Sequence, residues 1–318
     1  MKITLDLTEL VGRGALTAEE AEKLRQLAAE DTGSLGANIL LGFGTVAVTL
    51  GLGALIPSVF TAVALGLVLF IIGLSLWLTN GKRWWLFAQI CMTVGALATW
   101  GGLSFLSDGS LAVNMLLTLG LAAAAGVARS GLLAVLAVLA LTAVLGGSTA
   151  YWHATYSVSI WQPTLTILVL AVLSIALLLL SSNVAPAYER VCLIGARAAV
   201  LLINLAFLIG TLWGDYPFQN PAFGSLSGTF VTPMTFTIAW ALLLIGVGIW
   251  AVRVNRRWVV NTAAVFGAIH FYTQWFSFQG LSAFSVLGGG LLLIAFGFAL
   301  RWINQKWGVP AAAARAGA

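Results

Sequence analysis

Residues 58–85 read SVFTAVALGLVLFIIGLSLWLTNGKRWW. No charged residue interrupts Ser58 to Thr79; then Lys82 and Arg83 arrive together, followed by Trp84 and Trp85. An apolar run of about 20 residues crosses a ~30 Å hydrocarbon core as a helix, and a basic, aromatic end is what the membrane–water interface selects. Similar runs fall at about 35–56, 58–79, 86–106, 111–127, 132–151, 163–181, 193–213, 234–252, 258–278 and 285–304. The first two are separated by little more than Pro57, which predicts a tight hairpin.

The whole chain agrees with that stretch. Of 318 residues, 60% are hydrophobic and 8% charged, against roughly 25% charged in soluble domains. That excludes a cytosolic enzyme, a disordered scaffold and a secreted disulfide domain. The expected fold is an all-α integral membrane protein, a bundle of ten transmembrane helices. It has three regions: a cytosolic amphipathic segment at 1–33, the transmembrane domain at 34–306, and an Ala-rich cytosolic tail at 307–318.

The basic residues test the count, because they play no part in finding the runs. After residue 31 they are Lys82, Arg83, Arg129, Arg190, Arg197, Arg253, Arg256, Arg257, Arg301, Lys306 and Arg315. With ten spans and both termini inside, all fall on the cytoplasmic side, and the outer loops hold the acids Asp108 and Asp215. One span more or fewer would move the downstream charges outside, against the positive-inside rule. The net charge of +5 is scattered rather than gathered in a patch, so it reads as topogenic charge and predicts no nucleic-acid partner. Most of the 13 tryptophans lie near span ends as an interfacial belt, whereas Trp100 and Trp240 sit deeper and read as helix packing.

Before the first span, Thr17-Ala18-Glu19-Glu20 has the form of a capping box. Ala21, Leu24, Leu27 and Ala28 then recur at helical spacing, behind a shorter element carrying Leu5, Leu7, Leu10 and Val11. The opening is polar and net acidic, unlike a secretory signal. The segment is either a surface helix resting on the membrane or a docking element for a protein partner. Glycines within spans, Gly42, Gly44, Gly51 and Gly53 in the first and Gly288-Gly289-Gly290 in the last, read as places where helix backbones approach. The triple glycine could instead break its helix and bare carbonyls for an ion.

Residues able to carry chemistry are few. Cys91 and Cys192 form no CxxC or Cys/His spacing, so no metal site and no disulfide framework is expected. No HExxH, GxSxG or phosphate-cradling glycine loop occurs, so neither an enzyme nor a cofactor is expected; a membrane enzyme would have to rest on His270, His153 and Asp215. His270 is the ionisable residue deepest in a span, twelve residues beyond Trp258, or roughly 18 Å along the helix. Thr262, Phe266, His270, Thr273, Gln274 and Ser277 make a largely polar stripe that must face protein or water rather than lipid. His270, with Thr273 and Gln274, is thus either a substrate or proton site or a neutral histidine bonded to another helix, for instance to Asn204 or Asn114. The connection at 214–233, rich in proline and aromatics, reads as a lid or a solvated cap. Its Asp215 could meet His153 or the top of the ninth span.

Leu10-Val11-Gly12-Arg13-Gly14-Ala15-Leu16-Thr17-Ala18-Glu19-Glu20-Ala21-Glu22 at one end, and Ile269-His270-Phe271-Tyr272-Thr273-Gln274-Trp275-Phe276 with Gly288-Gly289-Gly290 at the other, resemble the prokaryotic membrane-protein family called domain of unknown function 2157. The resemblance implies a multi-pass protein of the bacterial inner membrane and transfers no activity. Many spans with short loops leave the interior as the place for function, and transport of a small molecule or lipid-like solute is the expected role. An accessory or assembly protein acting through residues 1–33 is the rival reading. Five plus five spans would permit inverted halves, although the halves show no convincing internal echo.

Overall fold

A computed structural model of the chain describes residues 11–12, 16–80, 84–152, 155–215, 231–254, 256–280 and 282–307. The order is α1 (Ala18–Leu55), α2 (Val59–Asn80), α3 (Trp85–Leu106), α4 (Leu111–Val127), α5 (Gly131–Val144), β1 (Gly147–Trp152), β2 (Thr155–Ile160), α6 (Pro163–Ser181), α7 (Pro186–Trp213), α8 (Pro233–Arg253), α9 (Arg257–Gln279) and α10 (Ala283–Trp307). Among the described residues, five helices are long and apolar enough to cross a membrane: Val59–Thr79, Trp85–Leu106, Pro163–Ser181, Pro186–Trp213 and Pro233–Arg253. Shorter apolar stretches occupy Ile39–Leu55, Leu111–Val127, Gly131–Val144 and Ala283–Ala299. Large apolar side chains stand exposed on these helices, among them Phe284 (86%), Leu55 (79%) and Leu40 (75%). Water would not tolerate apolar area spread so widely, and acyl chains require it. The chain is an α-helical membrane protein.

The capping box at Thr17 forms as expected. The Thr17 hydroxyl accepts from the Glu20 amide at 3.2 Å, and the Glu20 carboxylate accepts from the Thr17 amide at 2.9 Å. That backbone bond, with the hydroxyl's own bond to the same carboxylate, holds the Glu20 carboxyl below the ordinary glutamate range. The helix that the box starts continues through residue 33 into the first apolar run. Helix α1 runs unbroken for 38 residues, roughly 57 Å at 1.5 Å per residue. The side chains of Leu24, Leu27 and Ala28 lie outside the described residues, as do Leu5, Leu7, Leu10 and the tail from 308.

The structure departs from the expected spans at the end of α5. The expected fifth span at 132–151 stops at Val144, after 14 residues, or ~21 Å of helix. Gly146 takes φ +94 and turns the chain out of the helix. Gly147–Trp152 and Thr155–Ile160 then pair as the antiparallel strands of a hairpin, with Gly147 opposite Ile160 and Trp152 opposite Thr155. The all-α expectation therefore holds for the spans but missed this hairpin. The Tyr-Ser-Val-Ser-Ile run at 156–160 alternates with period 2, a strand signal, whereas Ser-Thr-Ala-Tyr-Trp at 148–152 does not and reads as a continuation of the apolar run.

The chain divides into two compact units. The first contains α1–α5 with residues 179–195. Its tightest element is the α2–α3 pair, where glycines bring the backbones together. A Cβ on Gly95 would lie 2.5 Å from the Phe70 nitrogen and 2.6 Å from the Gly66 oxygen; one on Gly73 would lie 2.7 Å from the Met92 nitrogen. Most glycines singled out in the sequence play no such part: Gly44, Gly51, Gly53 and Gly290 have nothing within 4 Å, and Gly42 meets only the Ile90 side chain. Met92, Ala96, Ala125, Ala128, Leu133 and Ala134 form the core of this unit. Small residues dominate it because lipid offers no hydrophobic drive between helices, so close contact must supply the cohesion. Ser130 caps α5, accepting from the Leu133 amide at 3.3 Å and donating to the buried Gln89 Oε1 of α3. Arg129, at φ +46, lays its guanidinium over the Tyr188 ring, 5.1 Å from the centroid.

The second unit contains the hairpin, residues 161–178, the rest of α7 from Ala196, and α8–α10. Ile160, Ala206 and Ile209 are packed together with Ile167 and Leu205. Helices α9 and α10 turn back on each other at Gly280 (φ +66). Trp275 Nε1 donates to the Ser285 carbonyl at 2.9 Å, and the Trp275 ring fills the space that Gly288 and Gly289 leave open. α10 runs straight through 288–290, so the triple glycine serves ring-on-backbone packing and does not break the helix.

Candidate functional site

The polar residues of the second unit converge where α7, α8 and α9 meet. On α7, Asn204, Phe207 and Thr211 share one face by their three- and four-residue spacing, and Gly210 leaves room for the Phe236 ring, whose Cδ1 would be 2.6 Å from an added Cβ. Phe236 and Trp240 on α8, and Phe266 and His270 on α9, are i, i+4 pairs that stack along their helices. Trp240 is the centre. It is fully buried, and its Nε1 donates to Asn204 Oδ1 at 2.9 Å. Its ring lies parallel to Phe207 at 6.2 Å, tilted to Phe266 at 6.4 Å, and edge-on to His270 at 4.9 Å.

This geometry decides what His270 bonds. Its Nδ1 is shut away from solvent and has no hydrogen-bond partner among the described residues. Asn204 is not that partner, because its carbonyl takes the Trp240 indole and its amide donates to the Val200 carbonyl at 2.8 Å. Asn114, the other expected partner, donates to the Ser110 carbonyl at 3.1 Å and lies in the first unit. Among the described residues of the second unit, nothing bonds to His270 Nδ1. Such a nitrogen is normally paired, since an unsatisfied buried polar atom costs about 1–3 kcal/mol. What the site offers chemically is one imidazole nitrogen against an indole wall, able to accept or donate a proton according to its tautomer.

The remaining expected residues divide. Thr273 and Thr262 spend their hydroxyl protons on the carbonyls one turn back, Ile269 and Trp258, at 2.9 Å each. They keep lone pairs but present no free donor. Gln274 is half-buried on the same helix. Asp215 is elsewhere: its Oδ1 accepts from the Thr164 amide at 3.3 Å in the first turn of α6, where a carboxylate complements the helix dipole. Gly214 (φ +74) makes that possible by turning the chain at the end of α7, and the Asp215 amide donates to the Val231 carbonyl at 2.9 Å. Asp215 is therefore a helix cap. His153 and the expected lid at 216–230 lie outside the described residues.

Sequence reasoning missed Phe207, Phe236 and the Trp240–Asn204 bond. The available signal was the depth of Trp240 within its span, away from either interface, combined with an asparagine in a neighbouring apolar run. Among the described residues, no three His, Cys, Asp or Glu side chains group to hold a metal.

No known protein family, characterised protein or solved structure matches this chain.

Proposed function

We propose that the protein is a transporter of a small molecule or lipid-like solute, and that α9 lines its path with His270 as the substrate or proton site. One observation carries this reading: an imidazole within a helix whose buried Nδ1 has no partner among the described residues. A group desolvated without compensation is the kind of site a ligand or a water completes. Helix α9 supports it. It is 23 residues long, ~35 Å of helix, yet too polar to count with the five apolar spans. A helix of spanning length with a polar stripe belongs beside a hydrated path rather than against lipid.

The test is uptake into vesicles. Proteoliposomes incubated with a metabolite and lipid extract are expected to enrich at least one solute class, read by mass spectrometry, relative to protein-free vesicles. With His270→Ala that enrichment should fall at least tenfold while the protein stays folded, because water fills the space the imidazole leaves. Equal contents in wild-type, variant and empty vesicles would end the transport reading.

The topology in this reading is ten spans with both termini inside, in a bacterial inner membrane, as the basic residues and the resemblance at the chain ends imply. Cysteines introduced at Ser110 and Ser225 should label from outside intact cells, and those at Asn80 and Asn255 should not. Outside labelling at Asn255 would break the model. The rival reading, an accessory protein with a docking helix, has one observation behind it: α1 starts at Ala18, well ahead of the apolar run that opens at about residue 35.

A further inference from the structure

The turn between α8 and α9 carries an arrangement of charge that orientation in the membrane does not require. Arg253 lies in the last turn of α8, where a cation suits the helix dipole. Arg256 and Arg257 are the N-cap and first residue of α9, the end at which a cation is disfavoured. That end has no acidic residue in its first turn and no side-chain cap. The amides of Val259 and Val260 bond back to the Arg256 carbonyl at 3.0 and 3.2 Å, whereas those of Arg257 and Trp258 make no hydrogen bond to a described residue. A fourth cation is brought in from α7: the Arg197 guanidinium sits 5.2 Å from the centroid of the Trp258 ring. All four arginines are exposed, and among the described residues none is in an ion pair. Three arginines within five residues of chain, and a fourth held over the ring of Trp258, thus accompany one helix start whose first two amides are open, with no anion supplied by the described protein.

We infer that this corner binds the phosphate of an anionic phospholipid. Guanidinium forks and helix-start amides both match phosphate oxygens. The source is a lipid rather than free phosphate because of what stands beside the charges. α8 is one of the apolar spans and ends at Arg253, so the turn lies at headgroup depth. Val254 in the turn and Trp250 one helical turn earlier, each about half exposed at 48% and 52%, offer an apolar surface for the acyl chains. A basic pocket set over exposed apolar side chains at a span end is a headgroup site in physical terms.

Native mass spectrometry of the full chain in a neutral detergent tests it, with phosphatidylglycerol, phosphatidylcholine and inorganic phosphate as separate probes. Wild type is expected to retain phosphatidylglycerol at concentrations where phosphatidylcholine is lost, and to lose it as salt is raised. A basic residue near an anionic surface contributes about fivefold in affinity, so Arg256→Gln with Arg257→Gln should weaken phosphatidylglycerol binding roughly 25-fold and leave phosphatidylcholine unaffected. Arg256→Lys with Arg257→Lys keeps the orienting charge, and therefore insertion, but loses the fork geometry; an intermediate weakening is expected. Three results would overturn the inference: equal retention of the two lipids by wild type, no effect of the glutamine pair, or displacement of phosphatidylglycerol by inorganic phosphate at equal concentration.

Discussion

Gly95→Leu is expected to separate α2 from α3 and to cost about 3 kcal/mol or more, at the upper end of what overpacking produces. The reason is what the new side chain would meet. Its Cβ would stand 2.5 Å from the Phe70 nitrogen and 2.6 Å from the Gly66 oxygen, and these are backbone atoms that no rotamer change can move aside. Gly66 and Gly73 on α2, and Gly95 and Gly102 on α3, are each spaced seven residues apart, two turns, so each pair lies on one face and the two faces meet. The cohesion of the pair is backbone-to-backbone van der Waals contact, which falls steeply with small separations. The measurement is thermal stability of the detergent-solubilised protein, with an expected loss of roughly 10 °C. Gly51→Ala is the matched control. Nothing lies within 4 Å of its added methyl, and alanine is the better helix former by about 1 kcal/mol, so that variant should melt no lower than wild type. If Gly95→Leu melted with it, the α2–α3 contact would not be what holds this unit.

These glycines show where the sequence was informative and where it was not. Helix ends were legible wherever punctuation coincided with the change in hydropathy. Ser110 and Arg129 bracket α4, and Pro163 opens α6, so both helices fall on the residues their apolar runs predict. At α5 the apolar content continues past Val144 into the hairpin, and composition alone cannot tell a helix from a strand in a short apolar run. Glycine abundance likewise says nothing about direction. Gly44 and Gly51 share the seven-residue spacing of Gly95 and Gly102 and face open space; only the neighbouring helix decides which stripe is used. In the candidate site, His270 was legible because an ionisable group inside an apolar run is conspicuous. Its surroundings were not. The Trp240–Asn204 bond joins residues 36 apart on different helices, and Asp215 caps a helix that begins 52 residues earlier at Pro163. Partners of that kind depend on how helices are rotated against each other, which a single sequence leaves open.

The bond at Trp240 gives the second large effect. Trp240→Ala is expected to cost about 3–5 kcal/mol, the range for removing a large aromatic from a core. The ring is fully buried and is held from two neighbouring helices: Phe207, Phe266 and His270 lean on it, and Asn204 accepts its indole proton. The loss has two parts that separate experimentally. Trp240→Phe keeps an aromatic body while leaving the Asn204 carbonyl without its donor; Asn204→Leu keeps the tryptophan and strands the indole N–H. In a membrane host such a bond is worth about 0.6 kcal/mol on average and about 1.7 at most, so each single change should cost far less than the alanine. Combined, the two should cost less than their sum by about that bond energy. The cycle, read from thermal stability in detergent, therefore assigns the larger share to the ring and the smaller to the bond. Solute uptake by the same variants connects this to His270. Trp240→Phe preserves a wall for the imidazole and should retain most of the uptake, whereas Trp240→Ala removes the surface that fixes the imidazole edge and should abolish it even in the fraction that remains folded. Full stability of Trp240→Ala would mean that the cluster is not a core. Full uptake by the folded fraction would mean that the solute does not pass beside His270.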